Sequence, residues 1–133
     1  MAQKASSAVQ DIWLLILRVG AGGAMLTHGI PKFLQVVGGN FKFADPFGIG
    51  STPSLLLAAG AEFFCSVLVI LGIYTRWTSI PVAITMLTAI FVVHANDPFR
   101  NKELAVLYFL VFFTLSVFGG GNYSLGRLLG GRK

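Results

Sequence analysis

A chain of 133 residues with 55% hydrophobic and only 11% charged residues is a poor match to a water-soluble domain, where about a quarter of residues are charged. One domain of this length has too little interior to hide that much apolar surface, so lipid is the expected solvent. The net charge of +5 does not point to a nucleic-acid binder, because the ten Lys and Arg residues are scattered among apolar runs, and the single cysteine excludes an internal disulfide and paired-thiol chemistry.

Four segments approach the roughly 20 apolar residues that cross a bilayer. The first runs from about Ile12 to Phe33. Arg18 splits its apolar core, so it reads as a retained span and not as a signal peptide. Residues 38–53, GGNFKFADPFGIGSTP, form a Gly- and Pro-rich loop whose Phe41, Phe43 and Phe47 place it at the membrane surface. The second span runs from about Ser54 to Tyr74, the third from about Trp77 to His94, and the fourth from about Glu103 to Phe118. The link between the second and third is so short that they must be antiparallel neighbours. The expected fold is therefore all-α: an integral membrane four-helix bundle in one domain, with both termini on the same side. That side carries Lys4, Arg76, Arg127, Arg132 and Lys133, against Lys32, Lys42, Arg100 and Lys102 on the other. The bias predicts cytoplasmic termini.

A rise of 1.5 Å per residue converts position into depth. Arg18 lies about 9 Å into the first span and His28 about 24 Å in, while Glu62 lies about 12 Å along the second span from the opposite face. His28, Lys32, His94 and Asp97 share the layer away from the termini, with Glu62 slightly deeper. Lys32 can extend its ammonium toward the interface. Glu62 is more demanding, since a lone carboxylate in a span must be protonated, paired or turned to a wet cavity. An Arg18–Glu62 ion pair is one expectation; a proton or ligand site is the other. His28 and His94 read first as interfacial groups or hydrogen-bond glue; a haem held between them is weighed and not expected, and no metal site is predicted, because the spacing is not diagnostic. Cys65 reads as a small buried hydrophobe.

Small residues let helices approach closely in lipid. Gly20, Gly22, Gly23 and Ala24 in the first span, and Ala58, Ala59, Gly60 and Ala61 in the second, are expected to face one another. Phe109, Phe112, Phe113 and Phe118 suggest a fourth span turned to lipid or to a partner.

The stretches LRVGAGGAMLTHGIPKF, AEFFCSVLVILGIYTRW and GGGNYSLGRLLG resemble the DoxX family of small four-helix bacterial membrane proteins. The residues carried by that match are Arg18, His28, Lys32, Glu62 and Arg76. Gly126 stands where relatives often have an acidic residue, so a tail contact needing a carboxylate is not expected. The resemblance implies a bacterial inner-membrane protein, with membrane-protein partner subunits, linked to quinone or respiratory redox complexes. On that view His28, Lys32, Glu62 and His94 would hold a quinone headgroup and handle its protons. The chain has no dinucleotide fingerprint and no cysteine cluster, so electrons would come from a partner. The alternatives are a structural or assembly subunit without chemistry, and a small transporter, against which the scarcity of charge argues.

Overall fold

A computed structural model describes residues 7–130. Lys4, Arg132 and Lys133, used above for orientation, lie outside the described residues. Four helices are long and apolar enough to cross a membrane: α1 (Ala8–Val37), α2 (Ser51–Leu71), α3 (Thr75–Val93) and α4 (Phe99–Phe118). A short α5 (Leu125–Leu128) follows. Each observed helix overlaps its expected span and extends past it by a few residues at one or both ends, except that α2 and α3 stop short of Tyr74 and His94. Hydropathy marks the hydrocarbon-embedded part of a helix, whereas the hydrogen-bonded helix continues into the interface.

The start of α1 and the chain after α4 meet, since Asp11 Oδ1 accepts from the Asn122 backbone N–H at 3.1 Å. The end that holds this contact is called here the closed end; the end where α1 finishes and α4 begins is the open end. Ser7 caps α1 by accepting from the Gln10 N–H, the usual work of a serine at a helix start. The helix runs through Pro31 without ending. Between α1 and α2 the loop is tied by Asp45, whose carboxylate accepts from the backbone N–H groups of Ile49 and Gly50 and from Ser54 Oγ.

The α2–α3 turn stops α2 sharply. Gly72 takes φ +76°, its N–H returns to Val69 O and the Ile73 N–H to Leu68 O, the paired bonds of a glycine-terminated helix. A Cβ at Gly72 would lie 2.3 Å from Ser124 Cβ, so only glycine fits both the dihedral and the space.

The core is apolar and small: Met25 from α1, Val69 from α2, Val82, Ala83 and Met86 from α3, and Phe112 and Leu115 from α4. Outward positions are also apolar, among them Trp13, Leu57, Phe91, Leu107 and Phe113. A bundle with apolar residues all round is what a lipid solvent requires. The fourth helix is only partly as expected: Phe113 and Phe118 face outward, but Phe112 is fully buried.

The two small-residue stretches do not meet each other. Gly22 packs on Ser66 and Ile70 of α2, while Gly20, Gly23 and Gly60 have nothing within 4 Å of a would-be Cβ. Gly22 does face α2 but meets it beyond Ala58–Ala61, so the two stretches lie at different depths along the antiparallel pair. Among the α1 glycines the tightest fit against α2 is at Gly29, where a Cβ would lie 2.3 Å from the Glu62 carbonyl oxygen.

Candidate functional site

The helix that carries Glu62 is irregular at that point. Residues Gly60–Cys65 of α2 are π-helical, with α-helical turns before and after. A second π-helical segment, Ala89–Val93, ends α3 just before His94. Such segments are rare and recur at functional sites. Here one of them carries Glu62 and the other leads into His94, so both sit at the open-end polar layer. Phe33 stacks on Phe63 with ring centroids 4.4 Å apart, and Phe64 stands edge-on to both, which fixes α1 against the first π segment.

Glu62 Oε1 accepts from Lys32 Nζ at 2.8 Å; the side chains are 6% and 21% exposed. Lys32 Nζ also reaches the His28 carbonyl at 3.4 Å. His94 Nδ1 pairs with Asp97 Oδ2 at 2.7 Å in a more exposed setting. With Asp97 ionised, Nδ1 carries the proton and Nε2 is left as an acceptor in the neutral ring. His28 stands edge-on to Tyr108 of α4, with centroids 5.7 Å apart.

Two cavities border the Lys32–Glu62 pair. The larger, about 580 Å³, lies between α2, α3 and the loop; Leu57, Ala58, Ile84, Phe43 and Phe47 form apolar walls, and Lys32, Glu62 and His94 its polar end. The smaller, about 250 Å³, is lined by His28, Lys32, Glu62, His94, Asn101 and Tyr108 among others. The structure thus brings His28, Lys32, Glu62 and His94 around one chamber. Among the described residues, no group of three or more His, Cys, Asp or Glu side chains is placed to hold a metal ion.

The expected Arg18–Glu62 ion pair does not form. Arg18 lies at the closed end and Glu62 pairs with Lys32. Arg18 meets Val69, seven residues further along α2 than Glu62, a separation of about 10 Å along the helix. Its Nε donates to Val69 O at 3.0 Å and Nη2 to Ile70 O at 3.0 Å; Nη1 donates to Gly120 O at 2.8 Å and to Tyr123 O at 2.9 Å. The first two carbonyls end α2, and the others follow the end of α4. A cation at the C-terminal ends of two helices meets the negative ends of both macrodipoles. Carbonyls thus stand in for the carboxylate that reasoning by height supplied. Asp11, also buried, spends its carboxylate on the N–H and side-chain amide of Asn122. Gly126, which offers no carboxylate for a tail contact, donates its N–H to Gly72 O at 3.1 Å.

Sequence reasoning missed Tyr108, Asn101 and Asp11. The phenol of Tyr108 within an otherwise apolar run was the available signal, since a buried Tyr O–H seeks a partner. Asp11 stands just ahead of the first apolar run, where the sequence carries no signal of burial.

The comparisons with known proteins assign the chain to a family. The DoxX family pattern matches residues 13–95, well over half of the chain. This chain belongs to the DoxX family. A Haemophilus influenzae protein with no assigned function is 32% identical over 124 residues, covering 85% of this chain and 87% of its own. A Bacillus subtilis protein named "Putative oxidoreductase CatD" is 34% identical over 110 residues, covering 82% of this chain and 81% of its own. No solved structure matches. The protein is a multi-pass membrane protein of that family.

Proposed function

We propose that this DoxX-family protein is a quinone-interacting subunit of an oxidoreductase complex in the bacterial inner membrane, with its termini cytoplasmic. The observation that carries the reading is the Lys32–Glu62 pair at the polar end of an apolar cavity of about 580 Å³. A volume in the range of small-molecule sites, mostly apolar with a few convergent polar groups, suits a lipid-soluble ligand. The residues fit a quinone by their chemistry. Its carbonyl oxygens need donors, and the Lys32 ammonium has donors beyond the one given to Glu62. The walls formed by Leu57, Ala58 and Ile84 suit an apolar tail, and Leu57 and Ile84 are themselves exposed where lipid would lie, giving entry from the bilayer.

When bound, a quinone supplies reversible two-electron carbonyl-to-hydroxyl chemistry. Lys32 orients the oxygen, Glu62 holds or gives up a proton beside it, and the apolar walls keep bulk water out. The chain carries no dinucleotide fingerprint and no cysteine cluster, so a partner subunit would carry the electrons. The printed name of the Bacillus subtilis relative supports an oxidoreductase context.

Gentle solubilisation, followed by lipid extraction, an optical spectrum and identification of co-purifying subunits, tests the proposal. Quinone retained by the wild type and lost from Lys32→Met supports it. A preparation holding neither quinone nor partner counts heavily against it. The competing reading, an assembly subunit without chemistry, predicts that replacing Lys32 and Glu62 together by Met and Leu leaves turnover of the host complex unchanged.

A further inference from the structure

Lys32, Glu62, Met86, Ala89 and His94 line both cavities, so the ion pair stands in the partition between them. The two chambers differ in what they offer a guest. Away from the ion pair the large one presents mostly apolar walls and opens toward lipid. The small one adds His28, Asn101 and Tyr108, and Asn101 is exposed on the first turns of α4, at the open end. A cavity holds water when it is roomy and offers each molecule two to four polar partners; about 15 Å³ is enough for one. A chamber of about 250 Å³ with polar groups from three helices meets both conditions.

We propose that the small chamber is a water-filled vestibule, open at the end where α4 begins, that brings water and protons to the Lys32–Glu62 pair by a route separate from the lipid-side entrance. The titratable groups sharing the chamber with Glu62 are Lys32 and His28 from α1, His94 at the end of α3 and Tyr108 from α4. A proton taken from this water by the Glu62 carboxylate removes the counter-charge of Lys32. The ammonium is then free to turn its N–H groups toward the large chamber. The inference adds a proton route to the function proposed above and rests on it only for what consumes the protons.

Thiol accessibility in sealed vesicles tests the route. In a Cys65→Ala background, Ala105→Cys places a thiol in the small chamber and Ala58→Cys one in the large chamber. Asn40→Cys is the exposed control on the open-end side. A charged, membrane-impermeant methanethiosulfonate should modify Ala105→Cys only from the side that modifies Asn40→Cys. Ala58→Cys should react about 100-fold more slowly, because a thiol kept from water holds little of the reactive thiolate. A membrane-permeant maleimide should still label it. Leu104→Cys, lining the same small chamber, is the second variant should Ala105→Cys accumulate poorly. Modification of both small-chamber thiols no faster than Ala58→Cys overturns the vestibule. A lipid extract free of quinone would sink the proposed function and leave the labelling result standing.

Discussion

The closed and open ends of this bundle each hold a cation, and they treat it differently. Arg18 is 2% exposed, makes four hydrogen bonds to carbonyls, and borders neither of the two cavities. Lys32 is partly exposed, is engaged mainly with one carboxylate oxygen, and borders both cavities. A cation whose donors are nearly all used has nothing left for a ligand. It joins α1, the end of α2 and the Gly120–Tyr123 segment into one unit. A cation with donors to spare beside open volume can exchange partners. The contrast separates a structural knot from a site, although each is an intramembrane charge of the kind read as functional by default.

The largest effect should come from the knot. Arg18→Met removes the guanidinium from four carbonyls, two in buried and two in partly buried bonds, and should cost about 3–5 kcal/mol, as when one side of a buried charged network is removed. Yield of monodisperse protein and its melting temperature in detergent measure this. Arg18→Lys should recover only a small part, since an ammonium cannot match the guanidinium fork. Were Arg18→Met as stable as wild type, the closed end would not be the anchor described here.

Gly29→Ala ranks next. Its Cβ would stand 2.3 Å from the Glu62 carbonyl, so α1 must move off the π-helical segment of α2. Overpacking of this kind costs about 1–3 kcal/mol. The displacement should also weaken ligand retention at Lys32, whereas Gly23→Ala, with open space around it, should change neither.

Glu62→Gln separates the two ends by function. It keeps an acceptor for Lys32 but removes the charge, so the expected stability loss is about 1–2 kcal/mol. Host-complex turnover should fall far more than that stability loss explains. If turnover follows folded yield alone, the open end is also structural and the contrast collapses.

The smallest effect belongs to the exposed His94–Asp97 pair. Asp97→Asn should change stability by about 0.2–1 kcal/mol, and less at high salt. Thermal melts at two ionic strengths measure it.

Much of the architecture was legible along the chain. Each apolar run of suitable length became a spanning helix, and the GIYTR stretch became the tight α2–α3 turn. The clustering of His28, Lys32, Glu62 and His94 at one end also followed from counting residues along antiparallel helices. Arg18 and Glu62 do not pair because they lie about 10 Å apart along α2 and because carbonyls at helix ends satisfy the guanidinium. The two small-residue stretches do not face each other because the register that seats Gly29 on Glu62 carries Gly22 down to Ser66 and Ile70. The π-helical segments gave no warning, since an extra residue in a turn leaves composition and hydropathy unchanged.

Hydropathy and length alone decided that this polypeptide crosses a membrane four times, because a bilayer demands a continuous apolar run and satisfied backbone from each helix by itself. Tertiary structure decided which charge meets which partner. Those choices depend on the rotation and close approach of helices distant in sequence: Gly29 against the Glu62 backbone, and Gly120 and Tyr123 folded back onto Arg18. Pairing energies act over a few ångströms in three dimensions, and no one-dimensional pattern encodes which of several equally deep groups will stand within that distance.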